Sequence, residues 1–195
     1  MDSDVLRCEW VTNDPLYITY HDEEWGSFKN FFDDNYLFES LTLEIAQAGL
    51  SWLTILRRRE AYRKLFCCFD PKEVAQFTKE DIERLCNDKR IIRNRRKIEA
   101  TVENSKAIVK LQSSHGSFHS FLWDFFGRRR VINNWRTADE VPAQTKQSKE
   151  LSDYLKRHGF IFVGPVLCYS FMQAVGLVDD HIANCIVRKR KVNNT

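Results

Sequence analysis

Apolar residues return along this chain with the period of a helix, and no stretch shows the strict alternation of a half-buried strand. Leu37, Leu41, Glu44 and Ala48 recur at spacings of four, three and four, with Phe38 and Ile45 beside them. This predicts a helix of about twelve residues that presents one apolar stripe, with Glu44 on the stripe. Gly49 ends that helix, and the Ser51 hydroxyl caps a second one carrying Trp52, Ile55 and Leu56. Asp70-Pro71 reads as N-cap and first helical residue, and Thr78 with Asp81 as a capping box. A short helix from Lys79 to Cys86, the turn Asn87-Asp88-Lys89-Arg90-Ile91-Ile92, and a helix carrying Ile98, Val102, Ile108 and Leu111 then give helix, tight turn, helix. Ser148 opens a further helix that Gly159 stops, Gly164-Pro165 opens one that ends at Gly176, and Asp180 starts the last. The chain reads as all-α, with two helical lobes and a cleft between them.

Composition agrees with a folded, helix-rich protein. The 195 residues are 43% hydrophobic and 13% aromatic, with only seven Gly and four Pro, which excludes a disordered chain and suits one compact domain or two small lobes. The start, Met1-Asp2-Ser3-Asp4, is acidic, and no apolar run approaches the roughly eighteen residues of a membrane span, so neither a signal peptide nor a membrane helix is expected. An intracellular protein follows, cytoplasmic in a bacterium and with a nuclear location open in a eukaryote. Six cysteines in such a chain are ligands or buried thiols rather than a disulfide framework. Core packing is the default for Cys67, Cys68, Cys86 and Cys168. Cys8 and Cys185 differ in having histidines nearby.

Net charge is only +3, yet the basic residues cluster: Arg57-Arg58-Arg59, Arg93 with Arg95-Arg96-Lys97, Arg128-Arg129-Arg130, and Arg188-Lys189-Arg190-Lys191. Any one cluster is more often a solvated face. Four of them in a short chain point toward phosphates, and they could share one face. The last cluster reads as a soluble tail, a phosphate contact or a nuclear signal.

Two constellations carry chemistry. Cys8, His21, His181 and Cys185 make a Cys2His2 set that suits tetrahedral zinc, with His181 and Cys185 four apart on one helical face. If they converge, a metal ties the two ends together; the competing reading is buried thiols and surface histidines. Glu44 is a carboxylate on an apolar stripe, either reaching water at its edge or buried for a purpose. It lies beside the Gln47-Ala48-Gly49-Leu50-Ser51-Trp52 corner, while Trp10, Tyr17, Tyr20 and Trp25 flank the first two proposed ligands. A pocket with aromatic walls and one carboxylate suits a flat, cationic base. A helix-turn-helix DNA binder and a purely structural adaptor are the alternatives, and for the adaptor Glu44→Gln would change no activity. Neither a Gly-x-Ser-x-Gly elbow nor a glycine-rich phosphate loop is present, which argues against nucleophilic hydrolase chemistry.

Arg7-Cys8-Glu9-Trp10, Asp14-Pro15-Leu16-Tyr17, Tyr20-His21-Asp22-Glu23-Glu24-Trp25-Gly26, Glu44 and Gln47-Ala48-Gly49-Leu50-Ser51-Trp52 resemble the 3-methyladenine DNA glycosylase I family. So do Gly159-Phe160, Phe162-Val163-Gly164-Pro165, Cys168-Tyr169-Ser170-Phe171-Met172-Gln173-Ala174, Gly176-Leu177 and the stretch from Asp180-His181 to Cys185, so that the resemblance runs from residue 7 to 185. It implies a two-lobed helix-hairpin-helix DNA glycosylase-like fold: one domain over residues 1–195, a central helix-hairpin-helix lobe at about 53–135, and a lobe built from both termini. One structural zinc ion per chain would be held by Cys8, His21, His181 and Cys185, clipping the termini together.

The implied activity is excision of 3-methyladenine from double-stranded alkylated DNA by hydrolysis of the N-glycosidic bond, leaving an abasic site; the sequence carries no oligomerisation signature, so a monomer is the default. A catalytically inactive damage-recognition module is the alternative. Glu44 becomes the carboxylate that reads the base, with Trp10, Tyr20, Trp25 and Trp52 shaping the pocket. Gln47, Gly49 and Leu50 fill the gap left by the flipped nucleotide, Leu50 as the wedge. Arg90, Arg93 and Arg95 are the expected backbone contacts. The chain departs from the family where Arg90 and Arg96 stand at hairpin positions that usually carry glycine, so that a charged contact from Arg90 would replace backbone N–H groups. The resemblance supplies no aspartate to support the sugar cation.

Overall fold

Helix starts in this chain are set by short polar side chains that accept the first free amides. The computed structural model describes residues 6–193, with side chains to Lys189. Asp14 accepts the Leu16 amide at 3.0 Å and opens α1 (Pro15–Thr19), which continues into a π-helical turn over Tyr20–Glu24. Asp33 caps α2 (Asp34–Gln47) and Ser51 caps α3 (Trp52–Leu56). α4 (Arg59–Leu65) follows, Asp70 ahead of Pro71 opens α5 (Pro71–Val74), the Thr78–Asp81 box opens α6 (Lys79–Asn87), and Asn94 opens α7 (Arg95–His115). Ser117 caps α8 (Phe118–Phe125). After β1 (Val131–Ile132) come α9 (Lys146–Arg157), α10 (Pro165–Ala174), β2 (Val178–Asp179) and α11 (Ile186–Asn193). The two short strands pair in parallel, Val131 opposite Val178, and are the only departure from helix and loop among the described residues. The fold is accordingly all-α in class.

α2 is the centre of the core. The sequence pattern predicts one apolar stripe, but every residue from Tyr36 to Ala46 is buried, because α3, α7, α8 and α10 surround the helix. Its polar positions are therefore inside as well. Glu39 is held by the guanidinium groups of Arg59 and Arg63, while Glu44 faces a cavity.

Three further expectations need correction. Ser148 does not open α9; Thr145 does, and Ser148 sits three residues in as the other half of a capping box. Asp180 does not start a helix, since its carboxylate is consumed by side-chain donors and α11 begins only at Ile186. Cys67 and Cys68 are exposed, whereas Cys168 is buried in the core and half-buried Cys86 packs against it as expected. The cause is local: Cys67, Cys68 and Phe69 all take positive φ (51°, 51° and 58°), which turns the chain so that Phe66 and Phe69 go inward and the two thiols outward. Among the described residues no helix is long and apolar enough to cross a membrane, and the acidic start at Met1 to Asp4 lies outside them.

Candidate active site

The two ends of the chain meet around a cavity of about 400 Å³, within the usual range of roughly 300–1,000 Å³ for small-molecule sites. All of its lining residues fall within 8–52 and 138–182, so the pocket is built by the chain's ends, not by a cleft shared with the central segment. The π-turn after α1 and the loop before it supply Trp10, Tyr17, Tyr20 and Trp25. Their rings form an arc, with centroids 5.2 Å apart for Trp10–Tyr17 and 5.0 Å for Trp10–Trp25. Trp52, at the start of α3, lies 5.2 Å from Tyr20 and leaves its buried Nε1–H without a partner. Every aromatic residue expected at the pocket is there.

Glu44 points into this arc from the last turns of α2. It is 7% exposed and makes no hydrogen bond or ion pair with any described residue. Burial alone pushes its carboxyl up to about 8. The Tyr20 phenol is raised well above its usual value too, first by burial and then by Glu44 beside it. Glu39, five residues earlier on the same helix, is given two arginines, and Glu44 is given none.

Sequence reasoning missed a further wall of the pocket. α10 contributes Tyr169, Ser170 and Gln173, and the loop after β2 contributes Asp180. Asp180 Oδ2 accepts the Tyr169 hydroxyl at 2.5 Å and Gln173 Nε2 at 2.7 Å, and Oδ1 accepts Asn133 Nδ2 and Trp135 Nε1, both at 2.7 Å. The spacing of Tyr169 and Gln173, four apart on one helix, was the available signal.

Beyond Glu44 the chain turns sharply. Gly49 takes φ +82°, Gln47 Nε2 donates to the Leu50 carbonyl at 2.8 Å, and Leu50 stands 39% exposed. The final carbonyls of α2 are closed by a buried cation: Lys97 Nζ donates to Ala46 O at 2.9 Å and Ala48 O at 2.7 Å. Burial lowers the Lys97 ammonium's pKa. Lys97 sits in the first turn of α7, so the α6–α7 turn is fastened directly to the segment carrying Glu44 and Leu50.

The basic clusters do not form one face. Arg59 is tied to Glu24 and Glu39, Arg130 donates to the Gly26 and Gly176 carbonyls, and Lys97 is inside. In the α6–α7 turn Arg90 has no positive φ; its amide and guanidinium close on Asp88, with Nη2 at 2.7 Å. Arg95 pairs with Glu83. Arg93 and Arg96 are exposed and make no ion pair with described residues. The side chains of Arg190 and Lys191, and with them the reading of the last cluster, lie outside the described residues.

Behind the pocket three of the four expected ligands, Cys8, His21 and Cys185, converge. One ligand atom each from Cys8, His21 and Cys185 lies within 4.8 Å of the others, a group that could hold a metal ion. His181 is beside them, its ring centroid 4.9 Å from that of His21 and its Nε2 3.4 Å from the His21 carbonyl oxygen. His181 and Cys185 do not share a helical face; both lie in the loop between β2 and α11. Each histidine has Nδ1 engaged by a carboxylate, His21 by Asp22 at 2.7 Å and His181 by Asp179 at 2.8 Å, which leaves Nε2 on both for a metal. Asp22 is itself clamped by Arg7. The Cys8–Cys185 hydrogen bond holds Cys185 toward the thiolate and raises Cys8. Gly26, at φ +67°, completes the fit, because a Cβ there would come within 2.9 Å of His181 Cε1. Two soft sulfurs and two oriented imidazoles suit zinc.

Comparison with known proteins gives one consistent result. The methyladenine glycosylase family matches residues 10–189. The DNA-3-methyladenine glycosylase 1 of Escherichia coli strain K12 is 48% identical over 179 residues, spanning 92% of this chain and 95% of that protein. A crystal structure of 3-methyladenine DNA glycosylase I is similar with a TM-score of 0.89 at 46% identity, over 93% of this chain and 98% of that one. A tyrosine-to-phenylalanine variant of 3-methyladenine DNA glycosylase I, solved in complex with 3-methyladenine, also gives 0.89, at 38% identity over 93% and 97% of the two chains.

Proposed function

The chain belongs to the methyladenine glycosylase family, and from that premise we infer that it is a monofunctional DNA glycosylase excising 3-methyladenine from alkylated DNA. The observation that carries this reading is Glu44, a buried carboxyl without a partner inside an aromatic pocket. Methylation at N3 makes the adenine of the nucleotide a cation and a good leaving group, so little acid catalysis is needed. Glu44 accepts hydrogen bonds from the exocyclic amine and ring edge, and arrival of the cation drives off the proton that the empty pocket favours. Trp10, Tyr20, Trp25 and Trp52 stack against the base, and water attacks the sugar from the opposite side as the base departs, leaving an abasic site.

The flipped nucleotide leaves a gap that exposed Leu50 enters as a wedge, with Gln47 and Gly49 shaping the turn behind it. α6, the Asp88–Asn94 turn and α7 act as the helix-hairpin-helix that grips the DNA backbone, within a central lobe of about 53–135. Of the three arginines expected on the backbone, Arg93 is the one free for a phosphate; Arg90 and Arg95 must first leave Asp88 and Glu83. The protein acts on double-stranded DNA as a monomer, in keeping with a single complete pocket per chain. One zinc ion would be held by Cys8, His21, His181 and Cys185, where it would fasten the chain's two ends behind the pocket as a closed, structural site.

The test is Glu44→Gln. DNA binding should persist while single-turnover release of 3-methyladenine falls by orders of magnitude, and unchanged release would remove Glu44 from the mechanism.

A further inference from the structure

Four carboxyl groups are buried among the described residues: Glu39, Glu44, Asp179 and Asp180. Glu39 is paired with Arg59 and Arg63, and Asp179 has Arg188 at 3.9 Å. The two that lack a cation are the two that face the pocket. Among the described residues no lysine or arginine lines the pocket. A buried charge without a counter-ion is a standing cost to the fold, and it is kept where a ligand supplies the missing charge.

Glu44 and Asp180 are not equivalent. Glu44 receives no hydrogen bond from any described residue, so its environment favours the neutral acid. Asp180 is 1% exposed and receives four donors, two on each oxygen, from Tyr169, Gln173, Asn133 and Trp135. A neutral amide at this position has a single oxygen and could not accept all four, whereas an ionised carboxylate accepts about four. The donors are all neutral, so they hold the charge in place without cancelling it.

We propose that Asp180 is the fixed negative charge of the pocket, selecting a cationic base over a neutral base of the same outline before Glu44 reads its edge. The proposal rests on the reading of this cavity as the base pocket, and it adds a second acidic, specificity-determining residue to the pocket lining alongside Glu44. A cation ~8 Å from such a charge, at an effective dielectric of ~20, is favoured by roughly thirtyfold.

The experiment measures, by tryptophan fluorescence, binding of neutral adenine and of a permanently cationic dimethyladeninium to the metal-loaded protein. Glu44→Gln is the parent, so that only Asp180 can supply charge. The parent should still prefer the cation by roughly thirtyfold, and adding Asp180→Asn should abolish the preference while adenine affinity stays within about twofold. Because Asp180 adjoins His181, a second variant leaves that loop intact. Gln173→Lys places an ammonium where an amide now donates to Asp180, and it should erase the same preference. Loss of the preference in Glu44→Gln alone, or an equal fall for both bases in the Asp180→Asn and Gln173→Lys variants, overturns the proposal. Release of 3-methyladenine from methylated DNA by the unaltered protein is measured alongside. Its absence would overturn the activity, whereas its presence with no selective loss would overturn only the role of Asp180.

Discussion

Replacing Glu44 by Gln should stabilise the protein, and by more as the pH rises. In the folded chain burial holds this carboxyl at about 8, against 4.5 for the same group in an open chain. The folded state therefore binds the proton more tightly than the unfolded state does. Stability linked to Glu44 is fully present below pH ~4.5, is lost as the pH rises toward ~8, and is constant above that. The whole shift corresponds to ~5 kcal/mol, of which ~3 kcal/mol is already lost at pH 7. Glutamine keeps the shape and cannot ionise, so it escapes the loss. Urea unfolding of both proteins, prepared identically, at unit steps from pH 5 to 9 isolates this group, because every other titration is common to the pair. The stability difference should open by ~1.4 kcal/mol per pH unit up to about pH 8 and then level off. Parallel pH curves would refute the reasoning, since they would mean that Glu44 is solvated or paired and stores nothing for the base to release.

Excision should show the reverse dependence. If the cationic base needs the ionised carboxylate, single-turnover efficiency should rise about tenfold per pH unit to about pH 8 and then flatten, and a flat profile between pH 6 and 8 would contradict it. Chelation should remove about one equivalent of metal per chain with loss of folded signal by circular dichroism, and a metal-free protein of equal stability would rule out the zinc site. Replacing Arg93 by Ala should lower the salt dependence of DNA binding by about one phosphate contact. Arg90→Ala should change it less, because Asp88 already holds that guanidinium; the opposite order would exclude this placement of the hairpin.

Several helix boundaries were legible from a short polar side chain, though Asp180 looked like such a cap and is held instead by tertiary donors. Ser51, Asp70 and Thr78 cap as their neighbours suggested, because capping depends on residues two or three apart. Ser148 misled for the same reason: both halves of a reciprocal box look like caps, and only the backbone shows that Thr145 leads. The ligand set and aromatic pocket could be named because their residue types are distinctive. The Asp180 hub could not, since Asn133, Trp135, Tyr169 and Gln173 meet it only through tertiary folding. Arginine and lysine runs suggested a charged face, yet Arg59, Arg130 and Lys97 are internal fastenings. Local sequence cannot distinguish a cation that meets phosphate from one that meets a carboxylate or carbonyl far along the chain.

Chromatography of the bases released when the purified protein acts on N-methylated duplex DNA decides whether this chain is a 3-methyladenine glycosylase. Free 3-methyladenine should appear with the unaltered protein and little with Glu44→Gln. Folded protein that binds the DNA yet releases no base would refute the glycosylase reading.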